Sequence, residues 1–124
     1  MAIIGAHMLL YTTEPEALRT VLRDVFGWRH VDAGDGWLIF ALPPAELGVH
    51  PIHGPAADAG GRHELTLMCD DIHDTVRELR EKGLKVVGEP QEQRFGVCVT
   101  VELPGGVELL CYEPRHPLAI NESP

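Results

Sequence analysis

His7 and Glu64 are two residues whose types suit chemistry and whose places in the chain match. His7 opens the run Met8-Leu9-Leu10-Tyr11-Thr12-Thr13, and Glu64 opens Leu65-Thr66-Leu67-Met68-Cys69-Asp70. An imidazole and a carboxylate both accept hydrogen bonds and exchange protons. Seven residues beyond each stands an acid, Glu14 or Asp71, followed by a helical run that a glycine closes, Gly27 or Gly83. Glu14 to Gly27 is thirteen residues, and Asp71 to Gly83 is twelve. The chain therefore reads as two copies of one unit, with His7 and Glu64 at equivalent positions.

The elements that must position these residues follow from periodicity. A strand is predicted over 3–12, with His7, Leu9 and Tyr11 on one face and Met8 and Leu10 on the other. Thr13 with Glu16 matches a capping box, Pro15 sits in the first turn, and Leu18, Val21, Leu22 and Val25 make a buried helical stripe over 14–26. Three short strands follow near Trp28–Val31, Trp37–Leu42 and Glu46–His50, divided by Asp35-Gly36 and Pro43-Pro44. The second copy repeats the plan. It has a strand over 63–69, a helix over 72–82 with Asp71 as N-cap, and strands near 85–88, 96–102 and 107–112, the last after the turn Pro104-Gly105-Gly106. Module one spans 3–51, a Gly/Ala/Pro-rich linker 52–61, module two 62–114, and a proline-containing tail 115–124 is expected to be an extended edge or disordered. The fold class is α+β: two tandem βαβββ modules forming a curled, cleft-bearing, mostly antiparallel sheet.

Bulk properties narrow the function classes. At 124 residues with 44% apolar content, the chain suffices for one compact domain. A net charge of −9 without a basic patch argues against nucleic-acid and anionic-membrane partners. No apolar run reaches membrane-helix length, and no signal-peptide pattern is seen. Cys69, Cys98 and Cys111 lie in apolar strand-like runs without C-x-x-C spacing, so they read as reduced thiols and point to the cytoplasm. His30, His53, His73 and His116 read as surface residues. No Ser/His/Asp arrangement or phosphate-cradling glycine loop stands out.

Paired βαβββ modules, a histidine at the start of a module strand, the acidic turn Asp70-Asp71, and Leu103-Pro104-Gly105-Gly106 running into Tyr112-Glu113-Pro114 resemble the vicinal oxygen chelate superfamily. That superfamily includes glyoxalase I, bleomycin-resistance proteins and extradiol dioxygenases, and the resemblance covers residues 3 to 114. Metal-dependent members take His, Gln or Glu ligands from the first and last strand of each module. Carried over to this sequence, the resemblance implies His7 and Glu64 as first-strand ligands. The last-strand positions fall on Leu110 and near Gly48, neither of which supplies a donor. His50, two residues beyond Gly48, and Glu108, two before Leu110, share the required faces. His63 is a third candidate, replacing Glu64 through a one-residue slip, although a slip turns the side chain to the other face.

Two functional expectations follow, together with a bland third. The first is a small-molecule-binding protein that holds a partly apolar organic ligand against Leu9, Tyr11, Met68, Leu110 and Tyr112 without a complete metal site. The second is a glyoxalase- or dioxygenase-like enzyme. It would hold a divalent metal (Zn, Ni, Mn or Fe) on His7, His50 and Glu64, with Glu64 or Glu108 moving the proton of a substrate with vicinal oxygens. The third is a module that only pairs its sheet with a partner. Unpaired sheet edges, and the way related proteins complete their cleft, predict a homodimer.

Overall fold

The computed structural model describes residues 7–49 and 63–121. In chain order the elements are helix α1 (Pro15–Asp24), strands β1 (His30–Asp32), β2 (Leu38–Phe40) and β3 (Thr66–Met68), helix α2 (Ile72–Glu81), and strands β4 (Lys85–Gln93), β5 (Gly96–Leu103) and β6 (Val107–Pro114), followed by a 3-10 turn (Ala119–Asn121). The second copy of the repeat builds a four-stranded sheet in the order β3-β6-β5-β4. β5 runs antiparallel to β4 and β6, and β3 runs parallel to β6. This is the mixed α+β architecture that the sequence predicts.

Alternation assigns the two faces of this sheet. Val97, Val99, Val101 and Leu103 of β5 and Leu109 and Cys111 of β6 are buried and form one cluster with Ile72, Val76 and Leu79 of α2. Leu18 and Leu22 of α1 join the same cluster, so the first module's helix shares the second module's core. The opposite face carries Cys98, Thr100 and Glu102 on β5 beside Tyr112, Leu110 and Glu108 on β6, pair by pair. Period-two strands necessarily divide their residues in this way.

Local chemistry explains the helix ends. The Asp71 carboxylate accepts from the amides of His73 and Asp74, both at 3.1 Å, and Glu113 Oε1 accepts from Ile72 N at 3.1 Å. Three of the free first-turn donors are thereby satisfied. At the other end Gly83, with φ +87°, lets Leu84 N reach Leu79 O and Gly83 N reach Arg80 O, both at 3.0 Å. This is the paired hydrogen bonding of a Schellman stop.

The first module departs from expectation in three places. Glu14, not Thr13, is the N-cap of α1, and no side chain caps that helix. Thr12 Oγ1 instead accepts from Glu14 N at 3.1 Å and donates to Pro104 O at 2.7 Å, tying the start of α1 to the β5–β6 turn. Residues 7–12 make no ladder among the described residues, although their exposure still alternates. Residues 46–49 likewise form no strand, because Pro43 and Pro44 remove two successive amides from the path out of β2. His50 and the linker 52–61 lie outside the described residues.

The tail begins as the predicted extended edge and leaves it only at the 3-10 turn Ala119–Asn121. Arg115 N donates to Phe95 O at 2.8 Å, continuing the β5–β6 pairing, and Ala119 N donates to Glu46 Oε2 at 2.7 Å. The tail thus joins the last segment of module one to the last strand of module two.

Candidate functional site

The face of the large sheet turned away from the helices is the candidate binding surface. Parallel pairing places Thr66 beside Leu110 and Met68 beside Tyr112, while antiparallel pairing places Thr100 and Cys98 on their other side. Met68, Leu110 and Tyr112 are therefore neighbours on one surface, as the spacing of the strands requires. Leu110 and Met68 are half-buried, and Tyr112 is 8% exposed.

At the open end of this surface, Leu10, His63, Glu64, Thr66, Thr100, Glu108 and Leu110 are among the residues lining a depression of about 400 Å³, so His63 reaches it beside Glu64. Glu64 and Glu108 stand two residues before the paired Thr66 and Leu110, so both carboxylates sit at the mouth. Glu102 pairs with Glu108 across β5 and β6, and Lys85 Nζ lies 3.4 Å from Glu102 Oε2. Opposed like charges cost stability in a sheet, and Lys85 offsets part of that cost on one side. The result is an acidic rim around a floor in which Leu110 lies between Thr66 and Thr100.

The N-terminal segment presents Leu10 to this depression and packs it on the core. His7 is exposed, and Leu9 and Tyr11, 60% and 84% exposed, alternate with Leu10 on the outer side of the segment. Among the described residues, no group of three or more His, Cys, Asp or Glu side chains converges on a point that would hold a metal ion. The described donors do not by themselves fit a closed metal site, because Leu110 takes a position between the acidic mouth and the Tyr112 end of the floor. His50 lies outside the described residues.

At the far end of the surface Tyr112, a cleft residue expected from the sequence, meets Phe95, His116 and Glu46, which were not expected there. Tyr112 Oη and His116 Nε2 are 2.9 Å apart, His116 Nδ1 is 2.8 Å from Pro117 O, and the Phe95 ring meets Tyr112 edge-on at 5.3 Å. With the Nδ1 hydrogen donated to the carbonyl, Nε2 accepts the tyrosine hydroxyl. The Glu46 carboxylate lies 3.9 Å from His116 Nδ1. Burial chiefly, and then the Glu46 and Cys98 charges, raise the Tyr112 phenol above its ordinary range, so it remains a neutral hydrogen-bonding group. His116, expected at the surface, instead anchors the tail. Its position after Pro114 in a proline-containing stretch gives no periodic signal.

The profile of the Glyoxalase/Bleomycin resistance protein/Dioxygenase superfamily matches residues 5–119. Among solved structures, TnmS3, an antibiotic binding protein from Streptomyces sp. CB03234, aligns with a TM-score of 0.60 at 20% identity, covering 91% of this chain and 99% of that one. Lactoylglutathione lyase from Agrobacterium tumefaciens aligns with a TM-score of 0.61 at 18% identity, covering 90% and 95%. A glyoxalase/bleomycin resistance protein/dioxygenase from Nocardioides gives 0.52 at 15% identity, covering 87% and 84%. At these identities the likeness is one of fold. No curated protein sequence matches the chain.

Proposed function

Because the chain belongs to the glyoxalase/bleomycin resistance protein/dioxygenase superfamily, we propose that it is a small-molecule-binding protein whose ligand lies on the surface floored by Met68, Leu110 and Tyr112. The observation that carries this reading is the position of Leu110. An apolar side chain flanked by Thr66 and Thr100, between the carboxylates at the mouth and Met68 and Tyr112 beyond, favours a flat, partly apolar organic ligand over a hydrated ion, since an unpaired charge against it is costly to bury. The acidic rim of Glu64, Glu102 and Glu108 disfavours anionic ligands. The fold likeness to an antibiotic binding protein makes antibiotics the first compounds to test.

The alternative is a divalent-metal enzyme acting on vicinal oxygens. It is favoured by one observation, that Glu64 and Glu108 line the same depression. His7, His50 and Glu64 would hold the metal, which would polarise the substrate oxygens, and Glu64 or Glu108 would take the proton.

We also propose a homodimer. Trp37, Leu47 and Val49 in module one are 61%, 90% and 93% exposed, and among the described residues β1 and β2 pair only with each other. A second copy would cover such a surface, together with the exposed Leu9 and Tyr11. Three free thiols are in keeping with a cytoplasmic protein. No helix among the described residues is long and apolar enough to cross a membrane.

Calorimetric titration of the purified protein with a panel of neutral, cationic and anionic antibiotics tests the reading. The expected result is micromolar or tighter binding of a flat neutral or cationic compound, weakened at least tenfold by Leu110→Asp. Absence of binding across the panel, combined with turnover of a vicinal dicarbonyl or catechol in the presence of added metal, overturns it in favour of the alternative.

A further inference from the structure

Cys69 and Cys111 lie on the helix-facing side of the sheet, away from the ligand surface. The parallel register pairs Leu67 with Cys111, and Cys69 N donates to Tyr112 O at 2.9 Å, so β3 stays joined to β6 through the residue after its last. Cys69, two residues beyond Leu67, therefore shares the face of Cys111 and lies diagonally from it on the adjacent strand. Their exposure is unequal. Cys111 is 4% exposed among Val99, Val101 and Leu109, whereas Cys69 is half-buried at the end of its strand. The third cysteine, Cys98, is buried on the opposite face and paired with Tyr112.

We propose that Cys69 and Cys111 form a reversible oxidation site, in which a hydroperoxide oxidises Cys69 and Cys111 resolves the product to an intramolecular disulfide. The Cys69 sulfur attacks one peroxide oxygen; the S–O bond forms, the O–O bond breaks, and the alkoxide leaves and takes up a proton. Cys111 then attacks the sulfur of the Cys69 sulfenic acid and loses its own proton. The S–S bond forms as the S–O bond breaks, and the hydroxide leaves with that proton as water. Two electrons pass from the two thiols to the peroxide, and an external thiol reverses the change by exchange.

The surroundings divide the two roles. Hydrogen bonding from Cys111 lowers the Cys69 thiol to about 7 against the opposing effect of burial, assisted by Thr75 of α2 and opposed by the Glu113 and Asp70 carboxylates. Cys111 is raised, first by that same hydrogen bond and then by burial, with the Cys69 and Cys98 charges adding to the rise. A half-exposed thiolate beside a buried protonated thiol is the arrangement of an attacking sulfur and its resolving partner.

The test uses the full chain, reduced and then exposed to one equivalent of hydrogen peroxide, with intact mass and peptide mapping. The expected result is the loss of two hydrogens, a Cys69–Cys111 cross-linked peptide, free Cys98, and full reversal by dithiothreitol. In Cys111→Ala the Cys69 sulfenic acid should persist and be trapped by dimedone, and Cys69→Ala should resist one equivalent of peroxide. Should Cys111→Ala fold poorly, iodoacetamide labelling of the unmodified protein provides the second reading. Cys69 should label roughly tenfold faster than Cys98 at neutral pH, with a midpoint near pH 7. Oxidation that begins at Cys98, or Cys69 labelling no faster than Cys98, overturns the proposal.

Discussion

Tyr112 Oη and His116 Nε2 lie 2.9 Å apart, and through this contact the last strand holds the tail that in turn holds Glu46 of the first module. Removing either side of the pair has unequal consequences. Tyr112→Phe leaves an imidazole nitrogen that the half-exposed tail can hydrate, at a cost of about 0.5–1.5 kcal/mol. His116→Ala strands a nearly buried hydroxyl and frees the tail, at a cost of about 1–3 kcal/mol. Urea denaturation of both variants should show the larger loss for His116→Ala. Equal stability of His116→Ala and the unmodified protein would show that the tail contributes nothing to the fold.

Gly105 marks the joint between the modules. Its φ is +84°, and a Cβ there would collide with Thr12 Oγ1 and stand 3.0 Å from Glu14 N. Gly106, with φ +77°, has open space around it. Both alanine substitutions carry the left-handed penalty of about 1–2 kcal/mol. Gly105→Ala should cost about 1–3 kcal/mol more, because the crowding displaces Thr12 from Pro104. Thermal denaturation of the two variants side by side measures that difference. Matching midpoints would mean that Thr12 does not secure the start of α1 against the turn.

The second module was readable in the sequence because its signals agree with one another. Asp71 caps, Ile72, Val76 and Leu79 face inward, Gly83 stops the helix, and the valine alternation of β5 sets the core face. The first module was less legible. Its strand-like runs at 7–12 and 46–49 have the alternation but no ladder, since pairing depends on a neighbour that local sequence does not specify. On the ligand surface, Met68, Leu110 and Tyr112 follow from period two alone. Leu10 was missed because its role depends on which face of an unpaired segment turns inward. His116 and Glu46 were missed because they meet across seventy positions of chain, a contact that only the folded path creates.

Leu47 and Val49 test the proposed dimer. In the second module the corresponding residues, Leu109 and Cys111, are each 4% exposed, whereas Leu47 and Val49 stand almost fully exposed. Placing Asp at both positions should leave the stability of a lone chain within about 0.5 kcal/mol, since little packing is lost. The same change should abolish association if a second copy covers this surface. Light scattering after size exclusion decides the point. A dimer in the unmodified protein that persists in the double variant would locate the interface elsewhere, and a monomer at high micromolar concentration would remove the dimer altogether.

Leu110 separates the binding protein from the metalloenzyme. It lines the same depression as Glu64 and Glu108 and is paired directly with Thr66 and Thr100. A carboxylate at this position would join two others at the mouth and make a donor set suited to a hard or borderline divalent ion. The unmodified protein should therefore bind zinc, nickel and manganese weakly. Leu110→Glu should tighten that binding at least tenfold, which corresponds to about 1.4 kcal/mol. The same substitution should weaken any flat apolar ligand, because it replaces the floor of the site with a charge that must be desolvated. Calorimetry on both proteins, with metal and ligand in separate titrations, gives four affinities whose pattern is diagnostic. Opposite changes for metal and ligand support the binding reading. Submicromolar metal affinity in the unmodified protein, with no gain from Leu110→Glu, would place the metal on other donors and favour the enzyme.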